Sequence, residues 1–477
     1  MKRYLLSLFV LLTLLSGLMI TTARVAHAAT SGCINPNGTN ILQGTLGGAN
    51  YTIAVPSNWN GTLVLYSHGY IFPNQPLLNP ADISFFGLFG FFLQQGYAVA
   101  GSSYSQNGWA IQQAFHDQIA LLDFFDATCG HPTRTIATGH SEGGMITAGL
   151  VQLFPDRFAG ALPMCGVLAG GIGTWNQALD SAFAFNLLLA GNKLPVVDFT
   201  SPSATSAAFK QAEAILASAQ NTPQGRARTA LVAALADIPG WFTPTSPEPA
   251  SNDFAAQETN QFLWESKVDF FFAFFARAEL EFRAHGNPSW NVGVNYTRQL
   301  AHSADRNEVV ALYKQAGLGL TQDLETLETS PRITADPQAE NYLNQFITFN
   351  GELNIPVLTM HTTGDGLVVN EDEQAYARVV HPGGDTSLLR QVFVHRAGHC
   401  AFTPAETLTA LQTLIHRLDT GKWEDSTNPD LMNQEATALG SNLNVFRVGS
   451  TLTSTPPAFL RFKPDLFLRP FPSNGLQ

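Results

Sequence analysis

Ser141 stands in Gly139-His140-Ser141-Glu142-Gly143-Gly144, after the strand-like run 135–138 and before an apolar, helix-like run at 145–153. Gly-x-Ser-x-Gly at a strand-to-helix junction is the pattern of a nucleophile elbow. The turn strains the serine backbone, exposes its Oγ and leaves no room for side chains at Gly139 and Gly143. The dipole of the following helix favours negative charge at that oxygen. A serine hydroxyl becomes a useful nucleophile only when an imidazole takes its proton, and a carboxylate must fix the imidazole tautomer and stabilise imidazolium. Both groups follow in the order serine, acid, histidine. Residues 355–361 read as a buried strand ending in Thr362-Thr363-Gly364-Asp365-Gly366, which makes Asp365 the expected acid. Residues 388–395 read as a strand closed by Arg396-Ala397-Gly398-His399-Cys400, which makes His399 the expected general base.

The tetrahedral intermediate of acyl transfer needs two backbone N–H groups aimed at its oxyanion. Glu142, directly after the nucleophile, supplies one. The strand 62–67 and its His68-Gly69-Tyr70 turn point to the Tyr70 N–H as the other. The Glu142 side chain reads as a structural hydrogen-bonding group under the elbow, with binding of a substrate cation as its functional reading. His140 reads as structural because side chains next to one another point apart across a sharp turn. His361 lies within a strand and His395 precedes its loop, so both read as packing or hydrogen-bonding residues. Asp372 is the reserve acid; its segment, 370–374, looks like a helix start, where acidic residues favour the dipole.

With strand, elbow, acid and histidine in this order, the chain resembles the α/β-hydrolases over residues 50–170 and 350–420. The resemblance implies a mostly parallel central sheet with helices on both faces, and a serine hydrolase that works through an acyl-enzyme without a cofactor. A narrower likeness connects the chain to tannases and feruloyl esterases, which carry a cysteine after the histidine bridged to one before the serine. Cys400 matches the first position, whereas His140 stands at the second.

The N-terminus reads as a signal peptide over 1–28: Lys2 and Arg3, an apolar run at 4–20, then Ala26-His27-Ala28 as the cleavage pattern before Ala29. This predicts a secreted protein, extracellular or periplasmic. The formal charge of −12 becomes more negative still when Lys2, Arg3 and Arg24 leave with the leader. Nucleic acid and anionic membrane surfaces, which recruit basic patches, are therefore excluded as expected partners. What remains is a small-molecule or polymeric ester. Four cysteines, Cys33, Cys129, Cys165 and Cys400, fall in an oxidising compartment, where three connectivities are open. Cys165 ends the strand 158–164 and Cys400 ends the histidine loop, so the expected pairs are Cys165–Cys400 and Cys33–Cys129. No Cys-x-x-Cys or His-x-x-x-His spacing accompanies them, so no metal site is expected.

The expected core is split into 29–169 and 351–420, because 170–350 is too long for an ordinary connection and reads as an inserted helical cap. Helices are expected at 204–220, 224–236, 257–285 and 306–316. Within the cap, Phe270-Phe271-Phe272-Ala273-Phe274-Phe275 is apolar all round and so is buried on several sides or lines a cavity. Phe271 and Phe274 are its expected substrate contacts, under an apolar roof that favours hydrophobic groups. Residues 404–418 form the last core helix, and 421–477 read as an extension packed on the core, with room for a short hairpin. Sequons at Asn37, Asn50, Asn60 and Asn295 matter only in a host that glycosylates secreted proteins. The leading function is a secreted serine esterase. One alternative is an aminopeptidase-like serine peptidase, which needs a cap carboxylate for the substrate amine, with Glu279 and Glu281 as candidates. The other is a non-catalytic binding protein on a hydrolase scaffold.

Overall fold

The computed structural model describes residues 33–84, 87–383, 385–448 and 451–472. The expected leader and its cleavage before Ala29 lie outside the described residues. Strands β1 (Asn40–Leu46), β2 (Ala49–Val55), β3 (Thr62–Ser67), β4 (Ala98–Ser102), β5 (Arg134–His140), β6 (Gly160–Met164), β7 (Val357–Gly364) and β8 (Leu389–Ala397) form the central sheet. Its order is β1-β2-β4-β3-β5-β6-β7-β8, closed at the far edge by the two-residue β11 (Phe459–Leu460). From β4 through β3 and β5 to β8 every pairing is parallel, whereas β1, β2 and β11 run antiparallel at the edges. This is the α/β-hydrolase sheet that the motif order implies.

The buried strands are apolar on both faces, as a sheet covered twice must be. On β3, Leu63 and Leu65 pack into one core with α2 (Ile111–Cys129) and α3 (Glu142–Leu153). Val64 and Tyr66 face the opposite core, with α1 (Phe89–Gln94) and the later helix α14 (Pro404–Thr420). Parallel strands all end on one edge, so the loops after β3, β5, β7 and β8 meet there, as in other open α/β sheets.

Between β6 and β7 the chain is helical: α4 (Gly170–Leu188), α5 (Pro202–Ala219), α6 (Pro223–Ala234), α7 (Phe254–Trp264), α8 (Arg277–Ala284), α9 (Tyr296–His302), α10 (Arg306–Ala316), α11 (Leu320–Thr329) and α12 (Pro337–Gln345). The four helices expected here from pattern are present within a few residues, with the longest divided. Helices α4, α9, α11 and α12 lie outside the expected ranges, and the Gly170-Gly171-Ile172-Gly173 start of α4 is poor helix text. Between α7 and α8 the helix continues through two π-helical turns, Glu265–Asp269 and Phe272–Ala276. These helices share a core of their own, which includes Phe185, Leu231, Phe270 and Phe274.

After β7 come α13 (Glu371–Gly383), β8 and α14 (Pro404–Thr420), the last opened by a capping box of Thr403 and Glu406. The tail then forms α15 (Pro429–Ala438) and an antiparallel pair, β9 (Val445–Val448) with β10 (Thr451–Ser454). It continues into β11, whose Phe459 lies opposite Val394 of β8. Disulfides join Cys33 to Cys129 and Cys165 to Cys400.

Candidate active site

Ser141 has φ 60° and ψ −127°, a conformation that L residues rarely occupy and that the elbow imposes. The glycines show why. A Cβ at Gly139 would lie 2.4 Å from the Gly143 carbonyl oxygen, and one at Gly143 only 2.1 Å from that of Ser67. The Ser141 N–H donates to the Met164 carbonyl at 3.0 Å, which ties the turn to the end of β6.

His399 Nε2 lies 2.8 Å from Ser141 Oγ, and His399 Nδ1 lies 2.7 Å from Asp365 Oδ2. The acid is fixed from three sides. Asp365 Oδ1 accepts the N–H groups of Leu367 and Val368 at 3.1 Å each, while the Gly398 N–H donates to the Gly364 carbonyl at 2.9 Å and joins acid loop to histidine loop. Asp365 is fully buried, which by itself would raise its pKa, yet His399 and His361 hold the carboxyl well below the ordinary range. The Cys165–Cys400 bridge anchors the residue after His399 to the end of β6.

The His68-Gly69-Tyr70 turn lies against the nucleophile: a Cβ at Gly69 would be 3.2 Å from Ser141 Cβ. Glu142 is the first residue of α3, where a helix leaves its N–H without an intrahelical acceptor. The Glu142 side chain is buried. Burial and nearby Glu279 push its carboxyl well above the ordinary range, against the pull of Arg283 and the Ala110 N–H. His140 is buried between Tyr66 and Phe402, and burial together with His399 pushes its pKa down to about 3, which leaves a neutral ring. Asp372 is also buried, but its Oδ1 accepts the Ala169 N–H at 2.8 Å. His395 points outward from β8 against Trp241 and Glu248.

A cavity of about 130 Å³ opens beside Ser141 and Glu142, walled by Tyr70, by α4 and by the π-helical segment. Phe274 lines it. Phe271 does not: it is 40% exposed and packs on Phe72 and Phe209, while Phe270, Phe272 and Ala273 take the cavity side. The inward side chains share one face of the helix and Phe271 packs with Phe275 on the other; a run that is apolar all round does not announce which face meets the cavity. Glu279 and Glu281 are not available for an amine either. Glu279 accepts the Trp109 N–H at 2.8 Å and pairs with Arg283 at 2.6 Å, and Glu281 accepts the Phe199 N–H at 2.9 Å. The acids on the cavity wall are instead Glu142 and Asp269, and burial and Asp365 push the Asp269 carboxyl well upward. Its one sequence signal was a charge directly before the phenylalanine run. Trp109, Thr174 and Trp175 also line the cavity, and each carries a buried side-chain donor with no acceptor among the described residues.

No family model matches the chain. Its sequence is 30% identical over 421 residues to the o-phthalyl amidase of Xanthobacter agilis, an alignment that spans 82% of this chain and 89% of that protein. The chain belongs to that amidase's family. It is a serine hydrolase of the α/β-hydrolase superfamily. Among solved structures it is similar to the rice cell wall degrading esterase LipA of Xanthomonas oryzae, with 13% identity, a TM-score of 0.36, and coverage of 80% of this chain and 88% of that one. Feruloyl esterase B of Aspergillus oryzae gives 15% identity and a TM-score of 0.35, with 80% of each chain covered. A carboxyl esterase of Bacillus coagulans gives 12% identity and a TM-score of 0.37, with 80% of this chain and 97% of that one covered.

Proposed function

We propose that this hydrolase is a secreted enzyme that cleaves carboxylic esters of compact, hydrophobic acids through an acyl-enzyme. The observation that carries the reading is the continuous hydrogen-bonded line from Ser141 through His399 to Asp365, ending at an apolar cavity. Ser141 Oγ attacks the ester carbonyl carbon as His399 Nε2 takes its proton, and the N–H groups of Glu142 and Tyr70 hold the oxyanion. When the tetrahedral intermediate collapses, the C–O bond to the alcohol breaks and His399 returns the proton to the departing oxygen. Water, activated by the same imidazole, then repeats the sequence and releases the acid. Asp365 stays ionised throughout.

The cavity supports a ring-sized acyl group, because apolar cavities of about 150 Å³ hold one benzene. The helical segment 170–350 acts as its cap on a core of 29–169 and 351–420, with 421–477 as an extension of that core. Phe274 belongs to the roof. The two disulfides fit an oxidising compartment and so the expected export. A second reading, hydrolysis of amides of aromatic acids, is favoured by the amidase relative, since an acyl-enzyme serves either leaving group.

Hydrolysis of p-nitrophenyl esters from acetate to benzoate, beside the matching anilides, tests both readings. Benzoyl esters are expected to give the highest kcat/KM. Anilides turned over at comparable kcat/KM would establish the amide reading. Ser141→Ala should abolish turnover and fluorophosphonate labelling with an unchanged circular dichroism spectrum. Asp365→Asn should lower kcat by about 10⁴, and His399→Ala by about 10⁶. Labelling that survives Ser141→Ala refutes the assignment.

A further inference from the structure

His361, a packing residue by its strand position, lies fully buried directly behind the acid. Its Nε2 is 2.8 Å from the Val368 carbonyl oxygen, which can only accept, so Nε2 carries a proton. Its Nδ1 is 3.2 Å from Glu373 Oε1. The other Glu373 oxygen already accepts from Thr359 Oγ1 and from Gln391 Nε2, an arrangement that suits a carboxylate and leaves Nδ1 to supply the remaining proton. Both ring nitrogens then donate. Asp365 Oδ2, the oxygen that holds His399, is 3.6 Å from His361 Nε2.

We propose that His361 is a positioning residue for the triad: a buried imidazolium, neutralised by Glu373, that fixes the carboxylate and loop of Asp365. The proposal rests on Asp365 being the acid of the reaction. The groups that face the ring are Asp365 on the acid loop and Glu373 and Asp372 on α13, with His399 beyond Asp365. Burial alone would lower the pKa of His361, and the carboxylates of Asp365 and Glu373 reverse that and hold it well above its ordinary value. The Nε2 bond to Val368 closes the turn whose N–H groups hold Asp365 Oδ1, and the ring sets its positive charge beside Asp365 Oδ2.

His361→Gln is expected to lower kcat about tenfold with KM within about twofold, a loss of orientation in place of binding. A variant with unchanged kcat overturns the proposal. Asp365→Asn, measured in parallel, separates it from the triad assignment: a harmless Asp365→Asn sinks the triad, whereas a crippling Asp365→Asn beside a harmless His361→Gln sinks only the role of His361. Nitrogen-15 NMR of the wild-type enzyme decides the matter even if His361→Gln does not fold. Two protonated ring nitrogens at pH 7 are expected, and a neutral His361 ring at that pH overturns the proposal.

Discussion

Asp372→Asn isolates the cost of a buried carboxyl that the proposed reaction does not use. Asp372 is 1% exposed, and burial pushes its pKa from 3.8 up to about 7, with Glu373 and Asp365 adding to the rise and the Ala169 N–H and His361 opposing it. The folded pKa lies above the unfolded one, so the ionised form is disfavoured in the native state. The group costs nothing below pH 4, costs progressively more between pH 4 and 7, and costs its full amount above. Three units correspond to about 4 kcal/mol as an upper bound, at about 1.4 kcal/mol per unit. Asparagine keeps the carbonyl oxygen that accepts the Ala169 N–H and cannot ionise. At pH 5, about one unit above the unfolded pKa, the variant should be more stable by at most about 1.7 kcal/mol. At pH 8 it should be more stable by about 1–4 kcal/mol. Urea unfolding at the two pH values, with kcat/KM measured on the same samples, reads both quantities. An equal stability difference at pH 5 and pH 8 refutes the burial argument. A loss of activity as deep as that of Asp365→Asn would show instead that Asp372 serves His399.

The same sign applies to Glu308, raised to about 9, and Glu371, raised to about 8, both chiefly by burial, so the wild-type melting temperature should fall as pH rises from 5 to 9. A flat profile over that range would contradict it. Phe274→Ala should enlarge the cavity and raise the kcat/KM ratio of naphthoyl to benzoyl esters several-fold, while Phe271→Ala leaves that ratio unchanged; the reverse pattern would return Phe271 to the substrate. Removal of the Cys165–Cys400 bridge, which spans 235 residues, should cost about 2–5 kcal/mol and lower kcat before the protein unfolds, because the bridge holds the loop of His399. Full activity of the reduced, folded enzyme would detach the bridge from catalysis.

Local sterics and strand punctuation made the elbow legible from sequence. Gly139 and Gly143 are required by backbone atoms a few residues or one strand away, and the positions of Asp365 and His399 follow from where β7 and β8 end. The helices between β6 and β7 were legible for a similar reason, since apolar runs and their spacing encode secondary structure directly. The cavity was not. The run 270–275 is apolar on every face, so only the packing of the helix decides that Phe271 points out while Phe270 and Phe272 point in. The fate of the charges was equally hidden, because their partners lie far along the chain: Glu279 is taken by Trp109, 170 residues away, while Asp269 joins Glu142 on the wall. His361 shows the limit most clearly. A histidine within a strand reads as packing from sequence, and only the folding of α13 onto β7 sets Glu373 against one side of its ring and Asp365 against the other. Spacing along the chain fixes backbone geometry, whereas the charge state of a buried group is fixed by whatever the tertiary structure places around it.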